Sequence, residues 1–168
     1  MSARRLPLIA AIAGVATIAA SVPAKPVALV WNASASVPLG LYRVARTGTL
    51  RPGEIVVVRP APDLARLMAT RRYLGLGALL MKPVGATAGH VVCRSGSTIT
   101  IEGKPVATAL RTDRLGRPLP VWSGCRHLTP GTIFLLARSV PDSFDGRYFG
   151  PISTSRIVGR AVPVWTHP

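Results

Sequence analysis

Leu50-Arg51-Pro52-Gly53-Glu54-Ile55-Val56-Val57-Val58 decides the character of this chain. Proline presets φ at one corner of a turn and glycine tolerates the positive φ of the next, so Pro52-Gly53 reads as a turn. The β-branched run that follows has no polar residue alternating within it, which predicts a buried strand. Outward toward the N-terminus, Leu41-Tyr42-Arg43-Val44 leads into the turn as a further extended segment. Toward the C-terminus, Asp63 to Arg72 reads as one helix, with Asp63 near its start and Leu64, Leu67 and Met68 on one face. Leu79-Leu80-Met81-Lys82 is apolar and extended. Thr98 to Ile101 and Val106-Ala107 flank Glu102-Gly103-Lys104-Pro105, a hairpin signal. Ile133 to Ala137 and Ile157 to Val162 finish the sheet. With no repeat and no linker, the fold class is mainly β: one β-rich domain spanning residues 26–168.

Composition agrees. The 168 residues include 16 Gly, 16 Pro and only 5% aromatics, a mixture that suits short strands joined by many turns. The formal charge of +15 comes from 21 Lys and Arg against six acids. Such an excess suits an anionic partner, either nucleic acid or an anionic lipid face. The cations are scattered, with no long run and no aromatic interleaving, so inner-membrane lipid is retained as a partner and nucleic acid is not. His90, His127 and His167 lack ligand spacing, and two cysteines alone cannot build a Cys-rich zinc site. No metal and no cofactor is expected.

The N-terminus reads Met-Ser-Ala-Arg4-Arg5 and then runs uncharged and apolar from Leu6 to Val22. At the rise of a helix this run covers about 26 Å, the short end of what spans a bilayer. Arg4 and Arg5 before it predict a cytoplasmic amino terminus. A cleavable signal peptide fits the same pattern, with Val22-Pro23-Ala24 as a tolerable cleavage site; the length favours an uncleaved anchor over residues 1–25. Either way the remainder is expected in the periplasm of a bacterial inner-membrane protein. In that oxidising compartment Cys93 and Cys125, the only two cysteines, would pair, and closing such a loop would contribute roughly 3.5–4 kcal/mol. Two unrelated buried thiols are the alternative.

Serine is common here, and there is no Gly-x-Ser-x-Gly elbow. A lysine base can replace histidine in serine hydrolysis, and the chain has just three lysines against 18 arginines. Lys25 flanks the apolar run, a snorkelling position, and Lys104 falls in the hairpin turn. Lys82 follows Leu79-Leu80-Met81 and precedes Pro83, which holds it extended. Projecting into an apolar site, it would lose ammonium solvation, its pKa would fall, and it would become a general base. Pointing from a strand edge to solvent, it would do nothing.

Asn32-Ala33-Ser34-Ala35-Ser36-Val37-Pro38-Leu39-Gly40-Leu41-Tyr42 resembles the nucleophile segment of type I signal peptidases in the conjugative-transfer (TraF-like) branch, Ser-x-Pro-x-Gly-x-Tyr. Pro52 to Val58 resembles the family's next strand, and Leu80-Met81-Lys82-Pro83-Val84-Gly85 the strand with its base. Pro130 to Phe134 and Ser143 to Gly150 resemble its last box, closing with Ile157 to Ala161. The matches keep their order over about residues 30–165.

The resemblance implies a signal-peptidase-like antiparallel β domain on a single N-terminal transmembrane helix. It implies Ser36 as nucleophile, Lys82 as general base, Ser34 as an oxyanion donor together with the Ser36 N–H, and Ser143 as the hydroxyl orienting Lys82. Asp145 and Arg147 would be a structural ion pair, buried beneath the site. The implied function is that of a membrane-anchored serine endopeptidase that processes, or cyclises, the prepilin of a conjugative type IV secretion apparatus, whose other components are partners. A general peptidase for secretory preproteins is the alternative. Some segments depart from the family pattern. Ala137-Arg138-Ser139 replaces Gly-Asp-Asn-Arg, Pro83 stands where an arginine often follows the lysine, and Gly85 to His90 replaces a Gly-Leu-Pro-Gly-Asp turn. These changes fit a specialised branch.

Overall fold

The buried run behind the Pro52-Gly53 turn is strand β3, and the remaining strands assemble around it. A computed structural model describes residues 28–167. The expected anchor over residues 1–25 lies outside the described residues, and among those described no helix is long and apolar enough to cross a membrane. The order is β1 (Ala28–Asn32), β2 (Leu39–Ala45), β3 (Ile55–Val58), α1 (Pro62–Thr70), β4 (Leu80–Ala86), β5 (Val91–Ser95), β6 (Thr98–Ile101), β7 (Lys104–Thr108), β8 (Gly124–His127), β9 (Thr132–Leu135), α2 (Gly146–Phe149), β10 (Ile152–Ser153) and β11 (Ile157–His167).

The single sheet expected from the sequence is two. Seven strands run β1-β2-β11-β3-β4-β9-β10, and four run β7-β6-β5-β8, with every pairing antiparallel. The division falls after Ala86, where the chain leaves β4. Between the sheets, Ala86, Val92, Ile99, Leu128, Phe134 and Leu136 form their own apolar cluster. Within the large sheet, Val56, Leu80, Val84 and Leu135 pack on one face with Met68 of α1. Tyr42, Val57, Met81 and Ala161 pack on the other. Burial of β3 on both faces follows.

Two local readings need correction. The helix stops at Thr70, short of Arg72, which takes φ 59 and turns the chain out of the helix. The hairpin turn is only Glu102-Gly103, both at positive φ (51 and 72), the geometry that matches the twist of the flanking strands. Lys104 and Pro105 therefore belong to β7, where Lys104 is exposed and Pro105 lies in an edge strand that tolerates a missing N–H.

Cys93 on β5 and Cys125 on β8 face each other in register and are joined by a disulfide. Its thiols should resist alkylation until a reductant is added. Cys125→Ser should lower unfolding stability by roughly 3.5 kcal/mol, read as a lower denaturant midpoint with a somewhat larger m, because the unfolded chain loses its cross-link.

Candidate active site

The connection from Asn32 to Leu39 carries Ser34 and Ser36, and it is fixed from both ends. The buried Asn32 amide donates to the carbonyls of Ser34 (2.7 Å), Val37 (2.9 Å) and Pro38 (3.0 Å). Its Oδ1 accepts from the Ser34 N–H (3.2 Å) and the Ser34 hydroxyl (3.0 Å). The Tyr42 hydroxyl donates to the Pro38 carbonyl at 2.7 Å. At Gly40, φ is 141 and an added Cβ would fall 2.1 Å from the Trp165 carbonyl oxygen, so only glycine lets β11 close against the segment.

Lys82 lies opposite Val56 in the β3–β4 register, on the face of Leu80 and Val84. Pro83 follows inside the strand at the start of the β4–β9 pairing, where its carbonyl accepts from the Leu136 N–H (3.0 Å) and one ladder bond is forgone. Lys82 is 4% exposed. Its Nζ donates to Ser36 Oγ and, at 2.7 Å, to Ser143 Oγ. The two serine hydroxyls are themselves 3.2 Å apart, which closes a triangle of amine and hydroxyls.

Below Ser143 the chain is held by a buried ion pair. Asp145 and Arg147 have side-chain exposures of 0% and 1%, so the burial assumed for them holds. The Asp145 carboxylate accepts from Arg147 Nε (2.9 Å) and Nη2 (2.9 Å) and from the backbone N–H groups of Ala137 (3.0 Å) and Arg147 (3.1 Å). Arg147 also donates to the carbonyls of Ala137, Val140 and Pro141. One guanidinium thus organises the loop from 137 to 147 in which Ser143 stands.

Burial disfavours the ammonium and pushes the Lys82 pKa down from 10.5 to about 8; the Asp145 carboxylate draws it up, Arg147 pushes it down, and Asp142 draws it up a little. A neutral amine beside Ser36 can accept the hydroxyl proton and leave an alkoxide-like nucleophile. The same shift carries a stability cost. Because the folded value lies below the unfolded one, the cost is fully present below about pH 8 and fades as pH rises toward 10.5. Lys82→Met should therefore stabilise the fold at pH 7 by on the order of 2 kcal/mol, and the gain should shrink from about pH 8 upward and be nearly gone by pH 10.5 in denaturant titrations.

Ser36, Lys82 and Ser143 come together as the sequence reading expects. Ser34 is exposed, two residues before Ser36, with its hydroxyl turned to Asn32. Cys93 and Cys125 belong to the other sheet. Asn32 and Tyr42 lie in the segment quoted for the resemblance, Tyr42 as its closing position, but the sequence assigns neither a role. An asparagine ahead of a serine-rich turn was the available signal, since its side chain readily bonds the backbone two residues on.

A sequence profile of the signal peptidase family, peptidase S26, matches residues 2–166. The chain belongs to this family. A conjugal transfer protein TraF of Agrobacterium fabrum is 37% identical over 145 residues, covering 80% of this chain and 81% of that protein. A plasmid transfer protein TraF of Escherichia coli is 30% identical over 145 residues, covering 80% and 82%. Among solved structures, a signal peptidase I of Enterococcus faecalis aligns over 67% of this chain and 97% of its own with 18% identity and a TM-score of 0.39.

Proposed function

We propose that this protein is a membrane-anchored serine endopeptidase that matures a precursor protein for a conjugative transfer apparatus, with Ser36 as nucleophile and Lys82 as general base. The observation that carries this reading is the buried Lys82 amine shared between Ser36 and Ser143. The peptide carbonyl is attacked by Ser36 Oγ as Lys82 takes its proton; the ammonium then returns it to the leaving amine. The oxyanion would be met by the Ser36 N–H and by Ser34, whose hydroxyl must first rotate away from Asn32.

The relatives named for conjugal and plasmid transfer support a role in that process, and the substrate of this reading is a prepilin of the transfer apparatus. The anchor expected from the apolar N-terminal run would hold the domain at the periplasmic side of the inner membrane, beside such a precursor. Trp31 and Trp165, exposed and 5.9 Å apart on β1 and β11, suit that interface. An acyl-enzyme on Ser36 can pass to water, giving a linear product, or to an amine of the same chain, giving a cyclic one.

The test uses full-length protein in detergent with a precursor-derived peptide. Cleavage should rise with pH through a midpoint near 8, the value to which burial lowers Lys82. A rising limb centred near 10 would mean a solvated lysine and would refute Lys82 as the base. Mass spectrometry of the product separates hydrolysis from cyclisation.

A further inference from the structure

The four-stranded sheet directs one buried cation at the loop that carries Ser143. Along β5, Val92 and Arg94 face inward while Cys93 faces the disulfide partner on β8. Arg94 is 4% exposed, and among the described residues it bonds to no carboxylate. Its guanidinium donates only to carbonyls: Nε to Gly96 (3.1 Å), and Nη1 to Pro120 (3.3 Å) and Arg147 (2.5 Å). The last of these is an end-of-helix carbonyl of α2, one of the acceptors that a short helix leaves without an internal partner. The neighbouring carbonyl of Gly146 is met by Trp122 Nε1 at 2.9 Å.

A desolvated guanidinium on neutral acceptors is an expensive arrangement for a strand to keep, and a leucine there would pack against Val92 and Ile99 at no such cost. What it achieves is a fixed link. Arg94 holds the Arg147 backbone, the Arg147 side chain holds Asp145 and the carbonyls of 137, 140 and 141, and Ser143 inside that loop holds the Lys82 amine. We propose that Arg94 is a positioning residue: from the second sheet, it sets how closely the Ser143 loop covers Lys82. This rests on the Ser36–Lys82 reading. Loosening that cover admits water to the ammonium and moves Lys82 back toward its ordinary titration range.

The experiment measures pH–rate profiles of full-length Arg94→Met and Arg94→Lys in detergent, with circular dichroism and an intact disulfide as checks of folding. Arg94→Met should move the midpoint of the rising limb up by about one pH unit. At pH 7.5 that reduces kcat by roughly eightfold, because one unit changes the neutral fraction nearly tenfold below the midpoint. At pH 10 kcat should recover, and KM should stay within about twofold, since Arg94 bonds only to the carbonyls of Gly96, Pro120 and Arg147 and to none of Ser34, Ser36, Lys82 or Ser143. In Arg94→Lys a single ammonium keeps the charge but cannot bridge three carbonyls, so the shift should be intermediate.

A folded variant with an unmoved midpoint overturns the proposal, and so does failure of both variants to fold, which would make Arg94 a purely architectural residue. Lys82→Ala run in parallel separates the two claims. If it is inactive while the Arg94 profiles are unmoved, only the positioning role fails; if it is active, the dyad falls first.

Discussion

Ser36→Ala and Lys82→Ala should each reduce precursor cleavage by roughly 10⁴-fold or more while leaving a folded, disulfide-bonded protein. The size follows from the triangle in which the Lys82 amine meets Ser36 and Ser143. Ser36 Oγ has a proton that nothing else nearby is placed to take, and without an oxygen nucleophile the amine has nothing to activate. In the proposed mechanism the two residues act as a unit, so the double variant should be no slower than either single one, a non-additivity that two independent contributions would not give. Lys82→Arg should fail as completely. The guanidinium keeps its proton at any useful pH and offers no lone pair, although it preserves positive charge in the site. Single-turnover cleavage of a precursor-derived peptide is the measurement. Wild-type rates in any of these variants would remove the mechanism.

How much of this was readable beforehand varies with the element, for physical reasons. β3 and β9 declare themselves because buried strands need apolar, β-branched runs; β4 shows in its apolar Leu79-Leu80-Met81 start and β11 in Ile157 to Val162, whereas its half-exposed continuation to His167 carries no such signal. β8 is Gly-Cys-Arg-His, exposed along its whole length, and has no alternation to detect; only its pairing with β5 makes it a strand. Missing it, the sequence reading merged two sheets into one.

The site divides in the same way. Lys82 stands out on local grounds, one of three lysines, preceded by apolar residues and followed by proline. Ser36 does not, and its role came from the resemblance of its segment to a known family. Its contacts lie 46 and 107 residues away in sequence, so no local pattern encodes them. Asn32 and Arg94 were missed because both act on carbonyl oxygens, and a carbonyl is present at every residue.

Asp145→Ala should cost about 3–5 kcal/mol of stability, a large share of what a domain of this size possesses. The reason lies less in the lost attraction than in what is left behind. With the carboxylate gone, Arg147 remains 1% exposed as a cation without its counter-ion, and the N–H groups of Ala137 and Arg147 lose their acceptor. Water cannot easily repair this where both side chains were sealed. Arg147→Met should be costly as well, since it strands the carboxylate and removes donors from three carbonyls. Combining Asp145→Ala with Arg147→Met removes both charges, so the double variant should be clearly more stable than the sum of the single losses. It should not return to wild type, because the loop carbonyls still lack their donors. Denaturant titration of the four proteins gives the cycle. Strict additivity would mean that the pair is not coupled as its geometry requires, whereas a positive coupling of about 2 kcal/mol or more is what two charges sealed together should give.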